Sequence, residues 1–187
     1  MFTKAYSVVL SLLMVFSLCV FETGCTSSQF DSTLATINNQ LPAALALAED
    51  IAALVNAQGM DPNIVKVGAV ASTDLPVFQK AVSAYLASKS SGTKAAVFAA
   101  ITSFSSNFNS AFLAANTVSN QKSQQAILTK FAAFAAVVNG FQLVLAPFFN
   151  QTVKAKADFQ QVQPYIPRDV QEATAEQYGY TMDQLGM

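Results

Sequence analysis

The chain has 187 residues, of which 52% are hydrophobic and only 11% charged, and ten Lys and Arg stand against eleven Asp and Glu. The resulting net charge of -1 argues against a nucleic-acid binder, which needs basic clusters to replace phosphate counterions, and the apolar content argues against a mostly disordered chain. There is no His, which removes His-dependent triads, His metal sites and imidazole pH switches, and two Cys make neither a multi-Cys zinc site nor a disulfide framework.

The first segment reads as an export signal. Lys4 and the amino terminus supply a thin positive region, and Ala5 to Phe21 form an uncharged, mostly apolar run of 17 residues. That run slightly exceeds the usual upper bound of about 15 for a signal core and falls short of the roughly 20 residues of a membrane span. Glu22, Thr23, Gly24 and Cys25 follow, then the polar stretch Thr26 to Gln29. Thr23-Gly24-Cys25 resembles the end of a bacterial lipobox, in which small residues precede a Cys that becomes lipidated and then N-terminal. The resemblance covers residues 1–25, and it departs from the pattern at Glu22, where that family usually has an aliphatic residue. It implies lipidation at Cys25, which would also remove the lone thiol of the mature chain, since Cys19 lies inside the signal. Conventional cleavage nearby and an uncleaved anchor stay open beside it.

Beyond the signal the pattern is helical, with Gly and Pro sparse and no strand-length alternation of apolar and polar residues. Asp31 or Ser32 is placed to cap a first helix carrying Leu34, Ile37, Leu41, Leu45, Ala48, Ile51 and Val55 at steps of three and four. Pro42 predicts a kink or a fresh start, and Gly59 an end. Asp61-Pro62 marks the next helix start, a capping side chain followed by Pro at the first helical position. Ser72-Thr73-Asp74 and Pro76 predict that this helix is short or bent and restarts, with Leu75, Phe78, Val82, Tyr85 and Leu86 on its second stripe. Lys89 to Gly92 is a loop by composition.

The third helix, over 93–116, sets Val97, Phe98, Ile101, Phe104, Phe108 and Phe112 along one side, with Thr102, Ser106, Asn109 and Ser110 on the other. The fourth is the most regular: Ile127, Phe131, Phe134, Val138, Phe141, Leu145 and Phe148 form a heptad seam, with Ala132, Ala135, Asn139, Gln142 and Ala146 behind it. Pro147 closes or bends it. The remainder is more charged and more broken, split by Pro164 and Pro167, with a short helix over 169–178.

Candidate chemistry is thin. Ser91-Gly92-Thr93-Lys94 and Ser119-Asn120-Gln121-Lys122 match the Ser-x-x-Lys spacing that lets Lys deprotonate Ser, yet the companion motifs of penicillin-recognising enzymes are missing. Both read as helix caps followed by a solvated Lys. Glu49-Asp50 points about 100° apart on a helix and reads as a solvated face. Asn150-Gln151-Thr152 is a glycosylation sequon only in a eukaryotic host. The Phe stripes read first as core. Their alternative is membrane contact, since Phe131 to Val153 is 23 residues without a charge.

The expectation is an all-α chain, an antiparallel helical bundle of about four main helices after an N-terminal signal segment. Residues 1–24 are the signal, 25–31 a tether, 32–150 the bundle core and 151–187 a C-terminal extension of the same domain. No catalytic, cofactor-binding or metal-ligating residue is assigned and no enzymatic activity is expected. Cys25 is the one site residue, as a lipidation site. The expected role is structural or protein-interaction work in a bacterial cell envelope, membrane-anchored or periplasmic. Partners are the membrane through the N-terminal lipid and an unidentified protein, with no nucleic acid and no small-molecule ligand expected. The alternatives are membrane insertion through residues 131–153 and carriage of an apolar small molecule between the helices.

Overall fold

A computed structural model describes residues 27–56, 60–118 and 122–177. Four long helices dominate: α1 Ser27–Val55, α2 Pro62–Ser88, α3 Ser91–Val118 and α4 Lys122–Leu145. A 3-10 turn, Ala146–Phe149, ends α4 and leads to α5, Thr152–Val162. A second 3-10 turn, Gln163–Tyr165, precedes α6, Arg168–Gln177. No strand occurs among the described residues. Each long helix packs on its sequence neighbour and α1 closes on α4, so the four form a ring, with α5 laid against α3 and α4. The expected antiparallel bundle is what the chain folds into. At 1.5 Å per residue its long axis is about 40 Å. The proximal end, where α1 begins, gathers the end of α2, the start of α3 and the turn after α4.

Local chemistry sets the helix ends. The Asp61 carboxylate accepts the Asn63 N–H at 2.8 Å, with Pro62 following at the first helical position. The α2–α3 connection is only Lys89 and Ser90, tighter than composition suggests. Lys89 takes the left-handed conformation (φ 45°, ψ 39°) and its N–H donates to the Tyr85 carbonyl. Ser90 and Thr93 then cap α3 reciprocally, the Thr93 N–H on Ser90 Oγ and the Ser90 N–H on Thr93 Oγ1, both at 3.1 Å.

Three expectations are corrected. The fresh start at Pro42 and the restart at Pro76 do not occur: α1 and α2 run through both prolines. Both prolines sit on exposed faces, so the carbonyl each leaves without an N–H, four residues earlier on the same face, turns to water. Buried neighbours such as Leu41 and Ala44, or Leu75 and Phe78, hold the helix on both sides. Second, α1 starts at Ser27, inside the expected tether, because Phe30 is fully buried and draws the first turn onto the bundle. Third, the side of α4 behind its seam is covered, as is Asn109 on the polar side of α3, where Ser106 and Ser110 stay exposed. Asn109, Ala132, Ala135, Asn139, Gln142 and Ala146 are all buried. The cover is α5, which buries Ala155, Phe159 and Val162 against them. The expected end of α1 at Gly59 lies outside the described residues.

The core follows the Phe stripes. Phe30, Phe78, Phe104, Phe108, Phe112, Phe131, Phe134, Phe141 and Phe159 are fully buried. Where α1 ends, Gly68 lets α2 approach closely, since a Cβ there would run into the Val55 side chain. Residues 126–149 are long and apolar enough to cross a membrane, but 72% of the 18-residue apolar window within them is buried inside the bundle. The uncharged stretch 131–153 is not one straight helix here. It turns at Ala146–Phe149 and again at Asn150, whose φ is 56°.

Candidate functional site

Cys25 lies outside the described residues, as does Ser119. The first Ser-x-x-Lys match resolves into something other than a base beside a nucleophile. Ser91 is exposed at the start of α3, and the cap is Ser90 with Thr93. Lys94 is not a freely solvated cation: its ammonium stands 4.7 Å from the Phe30 ring centroid, 5.3 Å from Phe149 and 5.9 Å from Phe148. Those rings belong to a larger aromatic group at the proximal end. Phe30 meets Tyr85 edge-on at 4.9 Å and Phe148 at 5.2 Å, while Phe98 stacks on Phe149 at 4.3 Å. A cation over π faces gains electrostatically from the ring quadrupoles. Glu49 and Asp50 are exposed, as read from the sequence.

Beside this group, Asp31 joins α1 to α2. Its Oδ1 accepts the Tyr85 hydroxyl at 2.7 Å and its Oδ2 accepts Lys89 Nζ at 2.8 Å. The Lys89 hydrogen bond, then that of Tyr85, holds the Asp31 carboxyl below its ordinary range. Burial, reinforced by the hydrogen bond to Asp31 and its charge, pushes the Tyr85 phenol up to about 12. Asp31 is thus an interhelical anchor rather than a cap, a role that only the α1–α2 pairing reveals.

The second polar constellation is a buried amide seam between α3, α4 and α5. Asn109 Nδ2 donates to Asn139 Oδ1 at 3.0 Å, and Asn139 Nδ2 returns a bond to Asn109 Oδ1 at 2.9 Å. Ser105 Oγ donates to the same Asn139 Oδ1 at 2.9 Å, and Asn139 Nδ2 also reaches the Ala135 carbonyl. Two bonds tie α5 in: Asn109 Nδ2 to the Asp158 carbonyl at 3.1 Å, and Gln142 Nε2 to Asp158 Oδ2 at 2.8 Å. Gln142 Oε1 and Thr102 Oγ1 are buried with no hydrogen-bond partner among the described residues. The seam is made of amides and a hydroxyl turned toward one another, closed at α5 by the Asp158 carboxylate and carbonyl. It positions helices and presents no activated nucleophile.

Among the described residues no group of three or more His, Cys, Asp or Glu converges to hold a metal. A cleft of about 320 Å³ opens near the distal end, lined by Asn116, Leu128, Thr129 and the Pro164–Pro167 segment with Tyr165 and Ile166. It lies where α3 and α4 meet the α5–α6 turn. The chain matches no protein-family model, no curated protein and no solved structure to which it was compared.

Proposed function

We propose that this protein is an exported bacterial lipoprotein, anchored through Cys25, whose helical bundle does structural or protein-interaction work at the cell envelope. The observation that carries the reading is the order of residues at the N-terminus. Lys4, the apolar run Ala5 to Phe21 and Thr23-Gly24-Cys25 lead into a helix that begins two residues later, at Ser27. The buried polar groups support a structural role, because most of the amide seam's side-chain hydrogen bonds join α3, α4 and α5. Partners would be met by shape and apolar contact, given how few charges the surface carries.

Metabolic labelling of the native host with a palmitate analogue tests it. The wild-type chain takes up label and fractionates with membranes, and Cys25→Ser does neither. Unlabelled wild-type chain would overturn the lipoprotein reading. The hydropathy of residues 126–149 favours a second reading, insertion of α4 into the bilayer. Retention of the Cys25→Ser chain in carbonate-washed membranes would move the conclusion there.

A further inference from the structure

The charges of this nearly neutral chain are sorted along the bundle axis. At the proximal end, Lys89 and Lys94 flank the α2–α3 connection, Lys80 lies two turns up α2, and Lys154 and Lys156 follow the turn that ends α4. Asp31 and Asp158, the latter two residues past Lys156, are the acidic residues among the described residues there, which leaves a surplus of three positive charges. The remaining described residues set Lys66, Lys122, Lys130 and Arg168 against seven acidic side chains, a surplus of three negative charges. Glu49, Asp50 and Asp61 sit by the α1–α2 connection at the distal end, and Asp169, Glu172 and Glu176 on α6. Among the described residues, neither exposed Lys80 nor exposed Lys154 has an ion-pair partner.

The basic end is also the end from which the chain runs back to its apolar leader. Only Thr26 lies between Cys25 and Ser27, so a lipid on Cys25 holds the start of α1 within about 7 Å of the membrane-anchored residue. That is within the roughly 8–10 Å over which salt leaves a membrane's surface potential unscreened. A tether this short obliges some face of the bundle to lie against headgroups, and the face beside it is the cationic one. A soluble acidic protein would find the same lysines, but it would have to displace the membrane that the tether keeps there.

We propose that the proximal end, with Lys80, Lys89, Lys94 and Lys154, is a docking surface for an anionic phospholipid bilayer. The bundle stands on its basic end and points its acidic end, with the cleft at Tyr165, away from the membrane. This rests on the anchored reading proposed above.

The chain has no Trp, so a single introduced Trp reports its own position. Full-length chains carrying Ser91→Trp (proximal) or Asn56→Trp (distal) are mixed with phosphatidylcholine vesicles, with and without phosphatidylglycerol, that carry a nitroxide on some headgroups. Flotation reports attachment, and Trp quenching reports which end faces the lipid. The expected result is roughly two-fold or greater quenching of Ser91→Trp on phosphatidylglycerol vesicles relative to neutral ones, lost in about 1 M salt, where the Debye length is about 3 Å. Lys80→Glu with Lys154→Glu removes it too, and Asn56→Trp stays unquenched throughout. Chains that float with both vesicle types but show no lipid-dependent quenching are anchored without the docking surface, and the inference is overturned alone. Chains that float only with anionic vesicles, at low salt and with Ser91→Trp quenched, support the docking surface while the anchor reading fails. Chains that float with neither overturn both.

Discussion

Asn109 and Asn139 face each other across the α3–α4 interface with one hydrogen bond in each direction, at 3.0 and 2.9 Å, in a site where both are at least 97% buried. The pair fixes the height of one helix against the other, because a shift of one turn would leave buried amides without partners. Asn109 extends that constraint to α5 through the Asp158 carbonyl.

Replacing Asn139 by Ala therefore strands the Ser105 hydroxyl and Asn109 Oδ1 together. Urea unfolding followed by far-UV circular dichroism should show a loss of about 2–4 kcal/mol, from unpaired buried groups and the cavity left behind. The double change Asn109→Leu with Asn139→Leu should cost less than the sum of the two single changes, since it removes both members of the pair. Additive losses would mean that the two amides do not act as a unit.

Lys94 contributes through its charge as well as its stem. Lys94→Met keeps the methylenes against the rings and removes the ammonium, for an expected loss of about 0.5–2 kcal/mol. Lys94→Glu should lose more. Unchanged stability in both variants would remove the cation–aromatic contact from the account.

The Asp31–Tyr85–Lys89 group sets a pH window. Asp31 titrates below its ordinary 3.8, so its contribution is full above that value and is lost as the pH falls through the depressed pKa. Tyr85 titrates near 12 instead of 10, so its contribution is full below pH 10 and is lost as the pH rises toward 12. Thermal unfolding from pH 2 to 12 should show both losses in wild type, and Tyr85→Phe should flatten the alkaline arm. An alkaline arm unchanged in Tyr85→Phe would place its cause in another tyrosine or a lysine.

Gly68 offers a test of packing against propensity. Ala at an exposed helix interior gains about 1 kcal/mol over Gly, yet here the added methyl meets the stiff, branched Val55 side chain. Gly68→Ala should be destabilising by roughly 1–2 kcal/mol, and Val55→Ala in the same chain should recover part of that loss. A stabilised single variant would mean that α1 and α2 separate at this end without cost.

How much of this was legible in the sequence varies with how local its cause is. The α4 seam was readable because its apolar residues recur at steps of four and three, and all are buried except half-buried Phe148. The α2 start was readable because Asp61 and Pro62 act on their immediate neighbours. The unbroken helices at Pro42 and Pro76 were not, since the packing that overrides each proline comes from other helices. Helix α5 was masked by Lys154, Lys156, Gln160 and Gln161, though Ala155, Phe159 and Val162 at steps of four and three were a usable signal. The aromatic group around Lys94 draws Phe30, Tyr85, Phe98, Phe148 and Phe149 from four separate segments, and no spacing rule connects them.

The most direct test of the central claim is the intact mass of the mature protein purified from the membranes of its native host. The account predicts a chain that begins at Cys25 and carries the added mass of acyl groups. An unmodified chain cut elsewhere would contradict it and remove Cys25 as the anchor.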